Sequence, residues 1–268
     1  MERKEYAHLG ETVCHEVLPN GLHIYVLSRP DYGKQFAFFA TRYGGMDMRF
    51  RGEDGHWVDT PAGVAHFLEH KMFDTEDGEA LHILAANGAV ENAFTSPSMT
   101  AYYFESTYGF EENLRTLLSF VSVPYFTKES VDKEQGIIGQ EIGMSDEPDT
   151  EVYYQLLRCM YGHHPIRVNV LGTVDSIAEI TPDTLYQCHR AFYRPGNMVL
   201  CVAGNVDPQR VVELAREILP KEHTAAAIVD LGGPETAGVA AHYAECNMEV
   251  SVPLFEIGFK GDPAEKGN

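Results

Sequence analysis

Three observations predict an α+β fold, a mostly antiparallel sheet packed on helices. Strand-like runs gather in residues 14–43, return at 89–107 and again at 197–206, and helical patterns fill the stretches between. The order shows no regular strand–helix alternation, which argues against a doubly wound parallel sheet. No strand is followed by the glycine fingerprint of a dinucleotide-binding turn. With 44% apolar and 22% charged residues among 268, the chain has the composition of a folded globule with a sizeable core.

The elements follow in order. CHEVLPNGLHIYVLS (14–28) reads as two strands turned through Asn20–Gly21, a strong hairpin dipeptide. QFAFFATRY (35–43) is a third strand, ending at Gly44–Gly45. A charged, glycine-bearing loop at 51–60 leads to a helix whose start is Thr60–Pro61, a capping residue followed by a first-turn proline. GEALHILAANG (78–88) is a second helix, closed by Asn87–Gly88. AVENAFTS (89–96) and MTAYYFEST (99–107) are β-rich and separated at Pro97. Helical patterns occupy 110–121, 127–144 and 150–161, and a further one, 183–193, follows Thr181–Pro182. NMVLCVAGNV (197–206) is a strand and DPQRVVELAREIL (207–219) a helix. The small, glycine-rich residues of 221–240 read as a linker. MEVSVPLFEIGFKG (248–261) begins a fresh strand with nothing after it to pack on. The expected organisation is therefore a domain over 1–220, a linker over 221–247, and from 248 to 268 the front of a further unit that is absent from this chain.

Charge and cysteine narrow the function classes. Twenty Lys and Arg against 40 Asp and Glu give a net charge of −20, which repels nucleic acid phosphates. Most of that charge reads as a solvated surface; an acidic cavity for basic peptides is the lesser reading. Five scattered cysteines without a C-x-x-C pair favour free thiols in a reducing compartment, hence the cytoplasm, and argue against a thiolate metal site. There is no apolar run of membrane-spanning length and no apolar core of a secretory signal.

GVAHFLEHKMF (63–73) carries the chemistry. At about 100° per residue, His66, Glu69 and His70 share one helix face, opposite Val64, Phe67, Leu68 and Met72. Histidines at i and i+4 can put two imidazole nitrogens on one metal, with the glutamate close to a metal-bound water. A polar helix face in an acidic chain would make the same pattern, and a catalytic zinc site wants a third protein ligand and an open position. SVDKEQGIIGQEIGM (130–144) offers that ligand. Glu134 and Glu141 lie two helical turns apart, flanked on the wheel by Val131, Ile137, Ile138, Ile142 and Met144. Two inward carboxylates need a cation, and no lysine or arginine falls on that stripe. A dication held by His66, His70 and one of the two glutamates meets the need.

The H-x-x-E-H helix, the later E-x6-E pair, and the segments ENAFTS, MTAYYFE and GTVDSIAEITPDTLYQCHRAFYRPGNMVLCVAGNVDP together resemble the pitrilysin-like (M16) zinc metallopeptidases. HFLEHKMF with NAFTS resembles their bacterial, processing-protease-like (YmfH-type) branch, and the resemblance runs over about residues 12–220. It implies the metallohydrolase fold shared by LuxS and the mitochondrial processing peptidases, and the activity of a zinc-dependent endopeptidase. It further implies that His66, His70 and Glu141 hold Zn2+, that Glu69 is the general base, and that Glu134 orients a ligand from the second layer. Asn92, Ala93 and Phe94 would line a strand edge to which a peptide substrate adds as an extra strand. Finally, it implies a partner: a second M16-like half, whose start would be 248–268, or a partner subunit, a dimer being one form of such pairing.

Other readings compete. A catalytically inactive M16-like subunit or scaffold in a peptidase complex would have the same fold, but the four motif residues are intact. An S-ribosylhomocysteinase (LuxS-like) enzyme shares the inverted motif but uses a cysteine ligand and is much shorter, and the glutamate pair disfavours it. A serine hydrolase lacks its G-x-S-x-G elbow. His163–His164 read as a loop before Pro165, and His82 as a core or surface histidine. Cys159, Cys188 and Cys201 read as small buried hydrophobes.

Overall fold

Alternating burial builds the sheet at the heart of the molecule. In the computed structural model, which describes residues 1–261 except Glu53, Asp77, Asp146, Thr224, Thr236 and the Glu79 side chain, the chain opens with four strands. They are β1 (Glu2–Tyr6), β2 (Glu11–Val17), β3 (His23–Ser28) and β4 (Gln35–Thr41). β2 and β3 turn through Asn20–Gly21 as expected, with Gly21 at φ 93°. β1 was not legible: its sequence ERKEY has no apolar alternation, and it forms by pairing antiparallel along β2 at the sheet margin.

Two small ribbons flank the motif helix. The first is β5 (Arg49–Arg51) with β6 (Trp57–Asp59); then come α1 (Val64–Lys71) and the second ribbon, β7 (Asp74–Thr75) with β8 (Gly78–Glu79). After α2 (Ala80–Ala86) the long strands β9 (Ala89–Thr95) and β10 (Thr100–Ser106) pair antiparallel. The helices α3 (Phe110–Ser122), α4 (Lys128–Ser145), α5 (Pro148–Met160), α6 (Val174–Ala178) and α7 (Pro182–Phe192) follow, then β11 (Met198–Gly204) and α8 (Pro208–Ile218). The main sheet has the order β1-β2-β3-β11-β4-β10-β9, with β11 parallel to β3 and every other pair antiparallel. This is the α+β architecture the sequence predicts.

One sheet face and the helices enclose the core. Phe39, Phe104 and Leu200 from the strands are 0% exposed, as are Leu118 of α3, Leu185 of α7 and Leu214 of α8. Each such side chain contributes about 1.5–3 kcal/mol on burial. Tyr43 stacks on Phe192 with ring centroids 4.1 Å apart, tying the end of β4 to the end of α7. The other sheet face carries Phe36, Phe38, Phe94 and Tyr103 in ring contact. β9 ends the sheet, and among the described residues no strand pairs with its outer edge.

The tail departs from expectation. Residues 248–261 form no strand although their pattern alternates: Val252, Phe255, Ile257 and Phe259 are exposed. Lys260 Nζ instead donates to Met160 O and Gly238 O and pairs with Glu235, each at 3.2 Å. The rest of the expected further unit, 262–268, lies outside the described residues. Within the expected linker, Arg51 N donates to Ile228 O and Asp230 N to Arg49 O, so this stretch lies along β5. Among the described residues no helix is long and apolar enough to cross a membrane.

Candidate metal centre

α1 starts later than its sequence suggests. Thr60 does not cap it; its hydroxyl donates to Met48 O at 3.0 Å. The N-cap is Gly63 at φ 93°, without a side-chain hydrogen bond, so this eight-residue helix owes its stability to packing. Val64, Phe67, Leu68 and the following Met72 are at most 2% exposed, as expected of the inner face. The opposite face is not solvated either: His66 and Glu69 are each 7% exposed.

α4 brings the glutamates across. Glu134 and Glu141 do share a face, but the inward stripe is narrower than the wheel suggests. Val131 and Ile138 are buried and Ile142 partly so, whereas Ile137 and Met144 are 45% and 74% exposed. α4 lies at the outside of the helix layer and meets α1 and α6 along one strip, so residues half a turn away face solvent.

Three ligand groups converge. His66 Nε2 lies 3.6 Å from Glu141 Oε1, and His70 Nε2 lies 3.7 Å from Glu141 Oε2. The ligand atoms of His66, His70 and Glu141 all fall within 4.8 Å of one another. A tetrahedral zinc with bonds of about 2.0–2.2 Å sets neighbouring ligand atoms roughly 3.3–3.5 Å apart, so this donor set fits the ion with small closure. Glu134 stands behind: its Oε1 is 3.0 Å from His70 Nδ1. A carboxylate there accepts, so Nδ1 carries the proton and Nε2 keeps its lone pair toward the shared point.

The electrostatics call for a cation. Burial pushes the His66 imidazole down to about 4, helped by His70, so it is neutral at physiological pH. Burial alone would lower His70 as well, but the Glu134 hydrogen bond and the charges of Glu134, Glu69 and Glu141 raise it above its ordinary value. Burial raises Glu69, against the opposing Thr95 hydrogen bond. Glu134 is lowered: burial would raise it, but His70 and Lys71 outweigh that.

Two residues escaped sequence reasoning. Thr95 Oγ1 donates to Glu69 Oε2 at 2.5 Å. Thr95 belongs to the same quoted segment as Asn92, Ala93 and Phe94, and its position next to Phe94 on a strand puts it on the opposite face, toward the core. Lys71, 2% exposed, pairs with Asp74 and lies 3.9 Å from Glu134 Oε2. It supplies a cation to Glu134 from a neighbouring helix, which inspection of α4 alone could not find.

A cleft of about 800 Å³ opens between the β9 edge and α5, and His66, Glu69, His70 and Glu141 lie in its wall. Asn92, Ala93 and Phe94 line it from β9, facing Asp149, Tyr153 and Tyr154 of α5. His163 and His164 lie elsewhere: the carboxylate of Glu235 accepts their backbone N–H groups at 2.8 and 2.7 Å.

Comparison with known proteins identifies the family. A family model described as insulinase (peptidase family M16) matches residues 53–174, and a model of the peptidase M16 inactive domain matches 179–267. The chain belongs to peptidase family M16. It is 48% identical to an uncharacterized zinc protease, YmfH, of Bacillus subtilis, over 80% of this chain and 50% of that protein. An uncharacterized zinc protease of Mycobacterium leprae, ML0855, is 32% identical over 76% of this chain and 45% of its own length. The chain thus spans about half the length of the curated relatives it matches. The crystal structure of a putative M16-like peptidase from Alicyclobacillus acidocaldarius superposes with a TM-score of 0.80 at 39% identity, over 86% of this chain and 55% of that one. A protease from Helicobacter pylori shares this fold at a TM-score of 0.73 and 22% identity, over 84% of this chain and 54% of its own.

Proposed function

We propose that this M16 chain is a zinc-dependent endopeptidase, or the catalytic half of one, that hydrolyses peptides laid along β9 as an added strand. The observation that carries the reading is the convergence of His66, His70 and Glu141 beside Glu69, in a cleft walled by a free strand edge. His66, His70 and Glu141 would hold the zinc ion. Zinc bound there supplies the Lewis acidity that makes water nucleophilic near neutral pH and polarises a carbonyl.

The chain's own residues do the rest. Glu69 takes the proton of the attacking water on a carboxylate that burial makes more basic than usual. It then returns the proton to the leaving amine. Thr95 holds one oxygen of Glu69 and so fixes the direction of the other. Glu134 keeps the His70 ring oriented through Nδ1. The β9 edge offers backbone N–H and C=O groups that read a peptide main chain with little regard to sequence, while Asn92 and Phe94 meet its side chains. A second M16-like half or partner subunit would close the cleft from the open side. The alternative, an M16-like subunit without activity of its own, draws support only from the inactive-domain match over 179–267, which contains none of the four motif residues.

The test is Glu69→Gln. The variant is expected to bind zinc as wild type does and to lose peptide cleavage by about 10²–10⁴-fold, assayed with and without a co-expressed second half. Cleavage at the wild-type rate by that variant would remove Glu69 as the base, and a wild-type chain that takes up no zinc would remove the reading altogether.

A further inference from the structure

Lys71 ends α1 and is among the largest fully buried side chains of the molecule, at 2% exposure. A buried ammonium is tolerated only where carboxylates meet it. Its Nζ makes an ion pair with Asp74 Oδ2 on β7 and lies 3.9 Å from Glu134 Oε2 on α4. The other Glu134 oxygen, Oε1, is 3.0 Å from His70 Nδ1. Asp74, Lys71 and Glu134 thus form a line of alternating charge, and it ends at the His70 imidazole, whose Nε2 faces Glu141 at 3.7 Å.

A surface pair of Lys71 and Asp74 would need no burial, and the end of a buried helix could take an apolar residue, as Met72 next to it does at 1% exposure. What the burial achieves is contact with Glu134. A carboxylate can rotate and present either oxygen, or neither, to a histidine. A fixed cation at one oxygen removes that freedom. We propose that Lys71 is a positioning residue of the metal centre: anchored by Asp74, it holds Glu134 so that Oε1 stays on the His70 Nδ1–H and Nε2 stays available to the metal. The inference rests on the zinc reading above and extends it to residues outside the ligand set.

The test measures zinc affinity by chelator competition on the purified chain, together with the visible spectrum of its cobalt(II) form. Wild type is compared with Lys71→Met, Lys71→Arg, Glu134→Gln and the double variant Lys71→Met/Glu134→Gln. Lys71→Met is expected to lose about tenfold or more in zinc affinity, the range set by second-layer partners, and to change the cobalt spectrum. Lys71→Arg is expected to recover most of the loss. In the Glu134→Gln background, removing Lys71 is expected to change nothing further, because its action passes through Glu134.

Three results would overturn the proposal. A gain in affinity would mean that Lys71 merely repels the dication. A lower Tm with unchanged affinity and spectrum would mean a structural ion pair only. Independent, additive losses would mean that Glu134 is not the route. Should Lys71→Met fail to fold, Lys71→Gln, which retains a hydrogen bond to Asp74, carries the same expectation. A wild-type chain that binds no zinc overturns the zinc reading itself and this inference with it, so the two failures are told apart by the wild-type measurement.

Discussion

Thr95 donates its hydroxyl to a carboxylate that has been taken out of water, and that bond restrains the basicity burial gives Glu69. Burial raises the Glu69 carboxyl and the Thr95 bond opposes it. Thr95→Val keeps the β-branched shape but deletes the donor, so Glu69 moves further up. A base must be deprotonated to act, so the acid limb of the cleavage profile should shift to higher pH. Activity near pH 7 should fall by roughly tenfold, in keeping with a lost hydrogen bond to a charged group. A pH profile superimposable on that of wild type would deny Thr95 the role. The contrast between Glu69 and Thr95 also shows what a sequence discloses at this scale. His66, Glu69 and His70 were legible because one helical period sets them on one face. Thr95 and Lys71 act across elements, on Glu69 of α1 and Glu134 of α4, and no spacing along the chain encodes such a contact.

The two helices that form the centre are unequal elements. α1 is short and pinned by a close backbone approach: a methyl group at Gly63 would lie 2.5 Å from the Leu171 carbonyl oxygen, and Gly63 already sits at φ 93°. Gly63→Ala should therefore destabilise the chain by about 1–3 kcal/mol, the cost of a strained backbone, and weaken zinc binding as His66 shifts. α4 is long but carries Gly136, Gly139 and Gly143, none of which has an atom within 4 Å of an added Cβ. Gly136→Ala should therefore stabilise the chain by about 0.5–1 kcal/mol. Urea midpoints at constant slope check both, and a loss at Gly136 would mean that α4 needs its softness. Sequence reasoning found both helices from the spacing of their apolar residues. It misplaced the α1 start because Thr60–Pro61 satisfies a capping rule locally, while the decisive contact, with Leu171, is more than a hundred residues away by the numbering. It over-drew the inward stripe of α4 because a wheel gives direction, and only packing says how wide the covered strip is.

For the molecule as a whole, the same long-range logic explains why six strands of the sheet, the β9 edge among them, and the helix layer could be read from pattern while β1 and the tail could not. MEVSVPLFEIGFKG has the alternation of a strand, yet alternation makes a strand only where an edge accepts it, and here Lys260 fastens the segment to the end of α5 instead. The metal centre makes such distant dependence measurable. Its proposed ligands come from α1 and α4, so occupancy would join two elements that are separate in sequence, and an ion that binds only the folded state would stabilise the entire fold. At free zinc about 100 times its dissociation constant the gain is roughly 2.7 kcal/mol, or roughly 5–10 °C in Tm for a domain of this size. A chelator should remove it. Glu141→Gln should abolish the zinc-dependent shift while leaving the metal-free Tm equal or slightly higher, because one carboxylate leaves a cluster that already holds Glu69 and Glu134. A Glu141→Gln chain that still gained the full shift would show that the third ligand had been wrongly assigned, and Glu134, at the other end of the same two turns, would be the residue to change next.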